Sequence, residues 1–139
     1  MVINEAMRKY PPVGVIQRVC MNGAVLPSGL KLESDTVTVI PIFAIHRDEK
    51  YYPEPNLYDP ERFSRNNVSN IVKNTFLPFG GGNRICIGAR LARLQVKAGL
   101  ALLLHRFTLR EQRQQQLHFI PSVFALRDPK ATYELILRD

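Results

Sequence analysis

The spacing of apolar and polar positions changes several times along the chain, and each change predicts a different element. Val2 to Lys9 reads as the last turns of a helix, because Pro11-Pro12 forces the backbone extended just after it. Val13 to Val19 follows as a strand. Leu26-Pro27-Ser28-Gly29 is a turn signal between apolar residues, so Ala24–Leu32 is predicted to form a hairpin. Thr36 to Ile40 alternates and is β-branched, which suits a pleated surface and predicts another strand. Pro41 to Arg47 reads as a short helix.

From Tyr51 to Thr75 the periodicity fades, and Pro, Asn, Asp and Tyr dominate. A connection of that length is functional or disordered. The strongest helix spans Gly88 to His105, with Leu91, Leu94, Ala98 and Leu102 on one apolar face. Its Ala98–Leu104 run is expected to be a core-helix segment, and no apolar run is long enough to span a bilayer. Phe107–Leu109, Leu117–Phe124 and Thr132–Leu137 are candidate strands. No repeat or linker interrupts residues 1–139, so one unit is expected, with a short glutamine-rich stretch at Gln112–Gln116.

The chemistry gathers in Phe79-Gly80-Gly81-Gly82-Asn83-Arg84-Ile85-Cys86-Ile87-Gly88. Glycines allow positive φ and let backbone approach a flat ligand closely. Cys86 stands just ahead of a helix, whose unpaired N–H groups favour a thiolate over a thiol. Arg84 can reach a carboxylate, and Phe79 can cover the sulfur from water. A buried thiolate with donors, an apolar cover and a nearby cation suits a soft metal ligand. A nucleotide-binding loop is excluded, because neither Gly-Lys-Ser/Thr nor Gly-x-Gly-x-x-Gly occurs here.

This stretch resembles the haem-binding signature of the cytochrome P450 superfamily, Phe-x-x-Gly-x-Arg-x-Cys-x-Gly, at every fixed position. Glu5-Ala6-Met7-Arg8 looks like the Glu-x-x-Arg of that family's K helix. Tyr10-Pro11-Pro12, Ala44-Ile45-His46-Arg47-Asp48 and Pro60-Glu61-Arg62-Phe63 match further landmarks in order and spacing. The style is that of microsomal members, an insect detoxification branch among them. The resemblance implies the mainly α P450 fold with minor β, this chain being its C-terminal haem-binding part: the end of the K helix, small β elements, the meander, the cysteine loop and the L helix. The membrane anchor and the oxygen-activating I helix would then lie upstream of Met1, and the I-helix pattern is not found in the sequence.

The resemblance also implies site residues. Cys86 is the axial thiolate on the iron of haem b; Phe79, Gly80 and Gly88 shape its surroundings. A lone cysteine is ordinarily a core thiol, and the complete signature around Cys86 reverses that. Arg84 and Arg18 match positions that contact haem propionates by bidentate pairing, with a solvent-facing strand residue as the alternative for Arg18. Glu5 and Arg8, with Arg62 as third member, match a buried ion-pair network; without the haem loop the pair would be surface decoration. Phe119–Phe124 falls at a substrate-contacting turn of the family, and a plain core strand is the alternative. Cys20 is expected to be inert core. His46, His105 and His118 lack a second ligand at metal spacing.

Composition refines this picture. With 139 residues, 45% of them hydrophobic, the chain is long enough for one domain with a modest core. Cys20 and Cys86 make no disulfide framework, and the charged helix at Met1 is not expected to be a signal peptide. Most of the +7 net charge lies between Arg84 and Arg113, where seven cations face Glu111 alone. Such a face is either merely solvated or steers an acidic redox partner. The family points to the second, namely NADPH–cytochrome P450 reductase and cytochrome b5 at the endoplasmic reticulum membrane. No aromatic interleaving supports nucleic acid. The implied function is a monooxygenase acting on a small apolar substrate. The alternative is a truncated, non-catalytic remnant that at most binds haem or a redox partner.

Overall fold

The computed structural model describes residues 1–111 and 132–138. These fall into two compact units, Met1–Pro78 and residues 79–111 with 132–138. The Leu117–Phe124 strand, the Phe119–Phe124 turn, His118 and the glutamine-rich stretch lie outside the described residues.

The first unit opens with helix α1 (Val2–Lys9), which ends where Tyr10 leaves the helical conformation ahead of the prolines. Two small antiparallel sheets follow. Strand β1 (Ile16–Val19) pairs with β4 (Val37–Ile40), with Ile16 opposite Ile40 and Arg18 opposite Thr38. Between them β2 (Ala24–Val25) and β3 (Lys31–Leu32) form the expected hairpin, with Gly29 at φ 84° in its turn. Each four-residue strand alternates half-buried and exposed positions, the pattern of a sheet with one wet face. Helix α2 (Ile42–Ile45) is a single turn. The aperiodic stretch then runs through two 3₁₀ turns, Pro60–Phe63 and Val68–Asn70; Asp59 caps the first by accepting from the Glu61 N–H.

The centre of this unit is polar. Its most deeply buried side chains include Arg8, His46 and Glu5 beside Tyr52, Ile42 and Pro11. Phe63 packs against Phe76 with ring centroids 4.7 Å apart, closing the apolar part.

In the second unit, helix α3 (Ala89–Arg106) leads directly into β5 (Phe107–Glu111), which pairs antiparallel with β6 (Tyr133–Leu137). The helix extends as predicted, but its apolar face is not core. Leu91, Leu94 and Leu102 are 59%, 63% and 69% exposed, and no residue of α3 is buried. Helical periodicity marks a face that is apolar; burial needs a second surface, and none among the described residues covers this one.

Candidate functional site

The cysteine loop is built from backbone. Gly80 and Gly82 have φ of 75° and 67°, left-handed conformations that a β-carbon disfavours. They turn the chain so that the Cys86 N–H donates to the Phe79 carbonyl at 2.9 Å, closing the loop on itself. A 3₁₀ turn over Gly82–Arg84 lies inside, and its end is tied by Ile85 N–H to the Gly82 carbonyl at 3.1 Å. Helix α3 then begins without a side-chain cap, so its first N–H groups and the positive end of its dipole lie just after Cys86.

Cys86 is a free thiol and is exposed, as is Arg84, which corrects the expectation of a buried sulfur. Phe79 is half-buried, with the Arg93 guanidinium 5.2 Å from its ring centre. Ile85 and Ile87 flank the sulfur with exposed apolar side chains, Ile87 fully so. A β-carbon at Gly88 would sit 3.9 Å from Cys86 Sγ, an ordinary van der Waals contact. Arg18 is half-buried on β1 and donates to the neighbouring Gln17 carbonyl at 2.7 Å. Cys20 is half-buried rather than core, its N–H donating to the Thr36 carbonyl where β1 ends and β4 begins.

The other predicted residues meet in the first unit. Arg8 grips Glu5 with two parallel bonds, Nε and an Nη each 2.8 Å from a carboxylate oxygen, both residues fully buried. The remaining guanidinium hydrogens reach the carbonyls of His46 (2.7 Å), Pro55 (2.8 Å) and Leu57 (3.2 Å). Glu5 also accepts from the Asp59 N–H at 2.9 Å. Arg62 is a looser member. Its Nε lies 3.7 Å from Glu5 and makes no hydrogen bond among the described residues, while an Nη donates to the Glu54 carbonyl. The aperiodic stretch is thus ordered around a charge pair.

Sequence reasoning missed His46. Its ring is fully buried, 5.6 Å from and nearly parallel to Phe76. Nε2 accepts from the Leu77 N–H at 2.9 Å, so the ring is neutral and carries its proton on Nδ1, 3.1 Å from the Arg8 carbonyl. Burial, with the charges of Arg8 and Arg47 adding to it, lowers its pKa from 6.5 to about 4. Tyr52 is pushed up, chiefly by burial, while Thr75 partly opposes the shift. Because the Thr75 hydroxyl donates to the Val72 carbonyl, it accepts from Tyr52 at 3.3 Å. The only sign of His46 in the sequence was the Ala44–Asp48 landmark, which says nothing of a partner.

A sequence profile of the Cytochrome P450 family matches residues 1–135. The chain belongs to the cytochrome P450 family. It is 40% identical over 130 residues to mouse (Mus musculus) cytochrome P450 3A13, covering 94% of this chain and 26% of that protein. It is 41% identical over 128 residues to cytochrome P450 6j1 of the cockroach Blattella germanica, covering 91% of this chain and 26% of the relative. Cytochrome P450 9e2 of the same insect is 47% identical over 112 residues, 79% of this chain and 21% of the relative. This P450 chain spans about a quarter of the length of the curated relatives it matches.

P450s hold haem through a cysteine thiolate. The residues around Cys86 fit that group: a free, exposed thiol beside an uncapped helix start, with exposed isoleucines on either side. No helix among the described residues is long and apolar enough to cross a membrane.

Proposed function

We propose that this chain is the haem-thiolate part of a P450 monooxygenase that inserts one atom of dioxygen into a small apolar organic substrate. The observation that carries the reading is the open thiol of Cys86 at the start of α3, on a loop whose glycines adopt the positive φ its closure requires. Haem, when bound, supplies the dioxygen-activating redox chemistry, and a thiolate ligand favours O–O cleavage. Cys86 would hold the iron as its thiolate, helped by the N–H groups that follow it. Gly80 and Gly82 would let the backbone approach the group closely, and Phe79, Ile85 and Ile87 would shield it from water. Arg84 and Arg18 would pair with propionates by charge-assisted hydrogen bonds.

In this reading α1 is the end of the K helix, residues 51–75 the meander and α3 the L helix. The Glu5–Arg8–Arg62 cluster holds the meander in shape, so it acts on haem incorporation and not on the chemical step. Electrons arrive from NADPH–cytochrome P450 reductase, with cytochrome b5 as a second donor, on the basic face formed by Arg84, Arg90, Arg93 and Lys97. The setting is the cytosolic face of the endoplasmic reticulum membrane. A second reading is a non-catalytic remnant, favoured by the uncovered apolar face of α3.

The test is the reduced, carbon-monoxide difference spectrum of the chain supplied with haem. The strongly red-shifted Soret band that names the family is expected, and it should vanish in Cys86→Ser. Its persistence in that variant would overturn the ligand assignment.

A further inference from the structure

We infer that Asn22-Gly23 is a self-modifying site: the Gly23 backbone nitrogen attacks the Asn22 carboxamide, leaving an aspartate or isoaspartate in the turn between β1 and β2. The step needs only water besides the chain, so it stands apart from the reading of Cys86 as haem ligand.

Among the chain's asparagines only Asn22 precedes a glycine. A side chain on the following residue crowds the approach of its nitrogen, and glycine has none. Asn22 and Gly23 are both exposed. Among the described residues, neither the Asn22 carboxamide nor the Gly23 N–H makes a hydrogen bond, so attack breaks no existing bond to a partner. Their neighbours, by contrast, are tied down. The Cys20 N–H donates to the Thr36 carbonyl at 2.9 Å, the Asp35 N–H to the Cys20 carbonyl at 2.6 Å, and the Ser34 hydroxyl to the Met21 carbonyl at 2.7 Å. On the far side Ala24 is already in register with Leu32. The untied link is Asn22-Gly23 alone, turned by Gly23 at φ 73°. Its peptide can rotate toward attack without opening either ladder.

The chemistry balances without an oxidant or reductant. The Gly23 nitrogen gives up its proton and bonds to Cγ of Asn22. The bond from Cγ to the side-chain nitrogen breaks, and that nitrogen leaves as ammonia with the proton, so a five-membered succinimide remains. Water then opens the ring. Addition at Cγ yields aspartate; addition at the main-chain carbonyl carbon yields isoaspartate, whose backbone runs through Cγ and is one atom longer. Either product adds a carboxylate beside Met21, which the Ser34 bond holds against a segment already carrying Glu33 and Asp35. Like charges facing across paired strands are destabilising. Isoaspartate also lengthens a link whose two ends are fixed, which loosens the bonds at Cys20 and Asp35.

Peptide mapping by mass spectrometry, on the chain kept warm at mildly alkaline pH, reads amide loss at each asparagine and separates isoaspartate from aspartate. Loss at Asn22 should outpace loss at Asn70, also exposed but followed by β-branched Ile71, by about tenfold or more. Isoaspartate should be the larger product. The rate should fall at mildly acidic pH, because the attacking nitrogen must lose its proton. The folded chain should react within about tenfold of the urea-unfolded chain, since no ladder has to open first. Asn22→Gln, which would need a six-membered ring, should stay unmodified at that position over the same period. In the modified chain, amide exchange at Cys20 and Asp35 should be several-fold faster. Faster loss at another asparagine would overturn the inference, as would a folded rate more than about tenfold below the unfolded one. Aspartate without isoaspartate would overturn it too, because it marks direct hydrolysis by water. Unchanged exchange at Cys20 and Asp35 would refute the loosening of the turn.

Discussion

Replacing Arg8 by methionine removes the charge from the buried centre while keeping most of the side chain's length. The structure sets the size of the effect. Glu5 is fully buried and would keep the Asp59 N–H at 2.9 Å, with Arg62 no nearer than 3.7 Å. Stranding one member of a buried pair costs about 3–5 kcal/mol. The carbonyls of His46, Pro55 and Leu57 lose a donor as well, which pushes the effect toward the upper end of that range. Glu5→Gln should cost less, because Arg8 keeps its three carbonyl acceptors. The double variant should cost well below the sum of the singles, since the uncompensated charge is gone. Urea unfolding followed by circular dichroism is the suitable assay, as the chain has no tryptophan. With a slope of about 1.5 kcal/mol/M, the Arg8→Met midpoint should drop by roughly 2 M or more. A loss below about 1 kcal/mol, or additive single and double variants, would refute the argument that the pair is energetically buried.

The pH dependence of folding should carry a second signature. His46 is neutral in the folded state, with its pKa lowered to about 4 from 6.5. The unfolded chain therefore binds the proton first. The His46 contribution is complete above about pH 6.5, declines as pH falls through the interval to about 4, and totals at most roughly 3 kcal/mol. Comparing stability between pH 7 and 4 in wild type and His46→Phe should show a flatter profile in the variant; equal slopes would contradict the assignment. In the cysteine loop, Gly82→Ala meets no atom within 4 Å, so its cost is conformational alone, about 1–2 kcal/mol at a φ of 67°. Thermal unfolding of the haem-free chain measures it, and an unchanged midpoint would mean that the loop relaxes.

Much of the local structure was legible in the sequence, because its causes are local. Pro11-Pro12 ends α1, Pro27-Ser28-Gly29 turns the β2–β3 hairpin, and a leucine period of three and four draws α3. The cysteine loop was legible for the same reason: positive φ at Gly80 and Gly82 is a property of those residues and their neighbours. Burial was not legible. Glu5 and Arg8 three residues apart on a helix are ordinary surface chemistry until a remote segment brings the Pro55 and Leu57 carbonyls and the Asp59 amide around them. His46 gained its role only when Arg8 and Leu77, distant from it in sequence, came to opposite edges of one ring. The exposure of Cys86 and of the α3 leucines was decided likewise, by which surfaces the fold brings against them. Conformational preference is written residue by residue, whereas desolvation depends on what arrives from elsewhere in the chain.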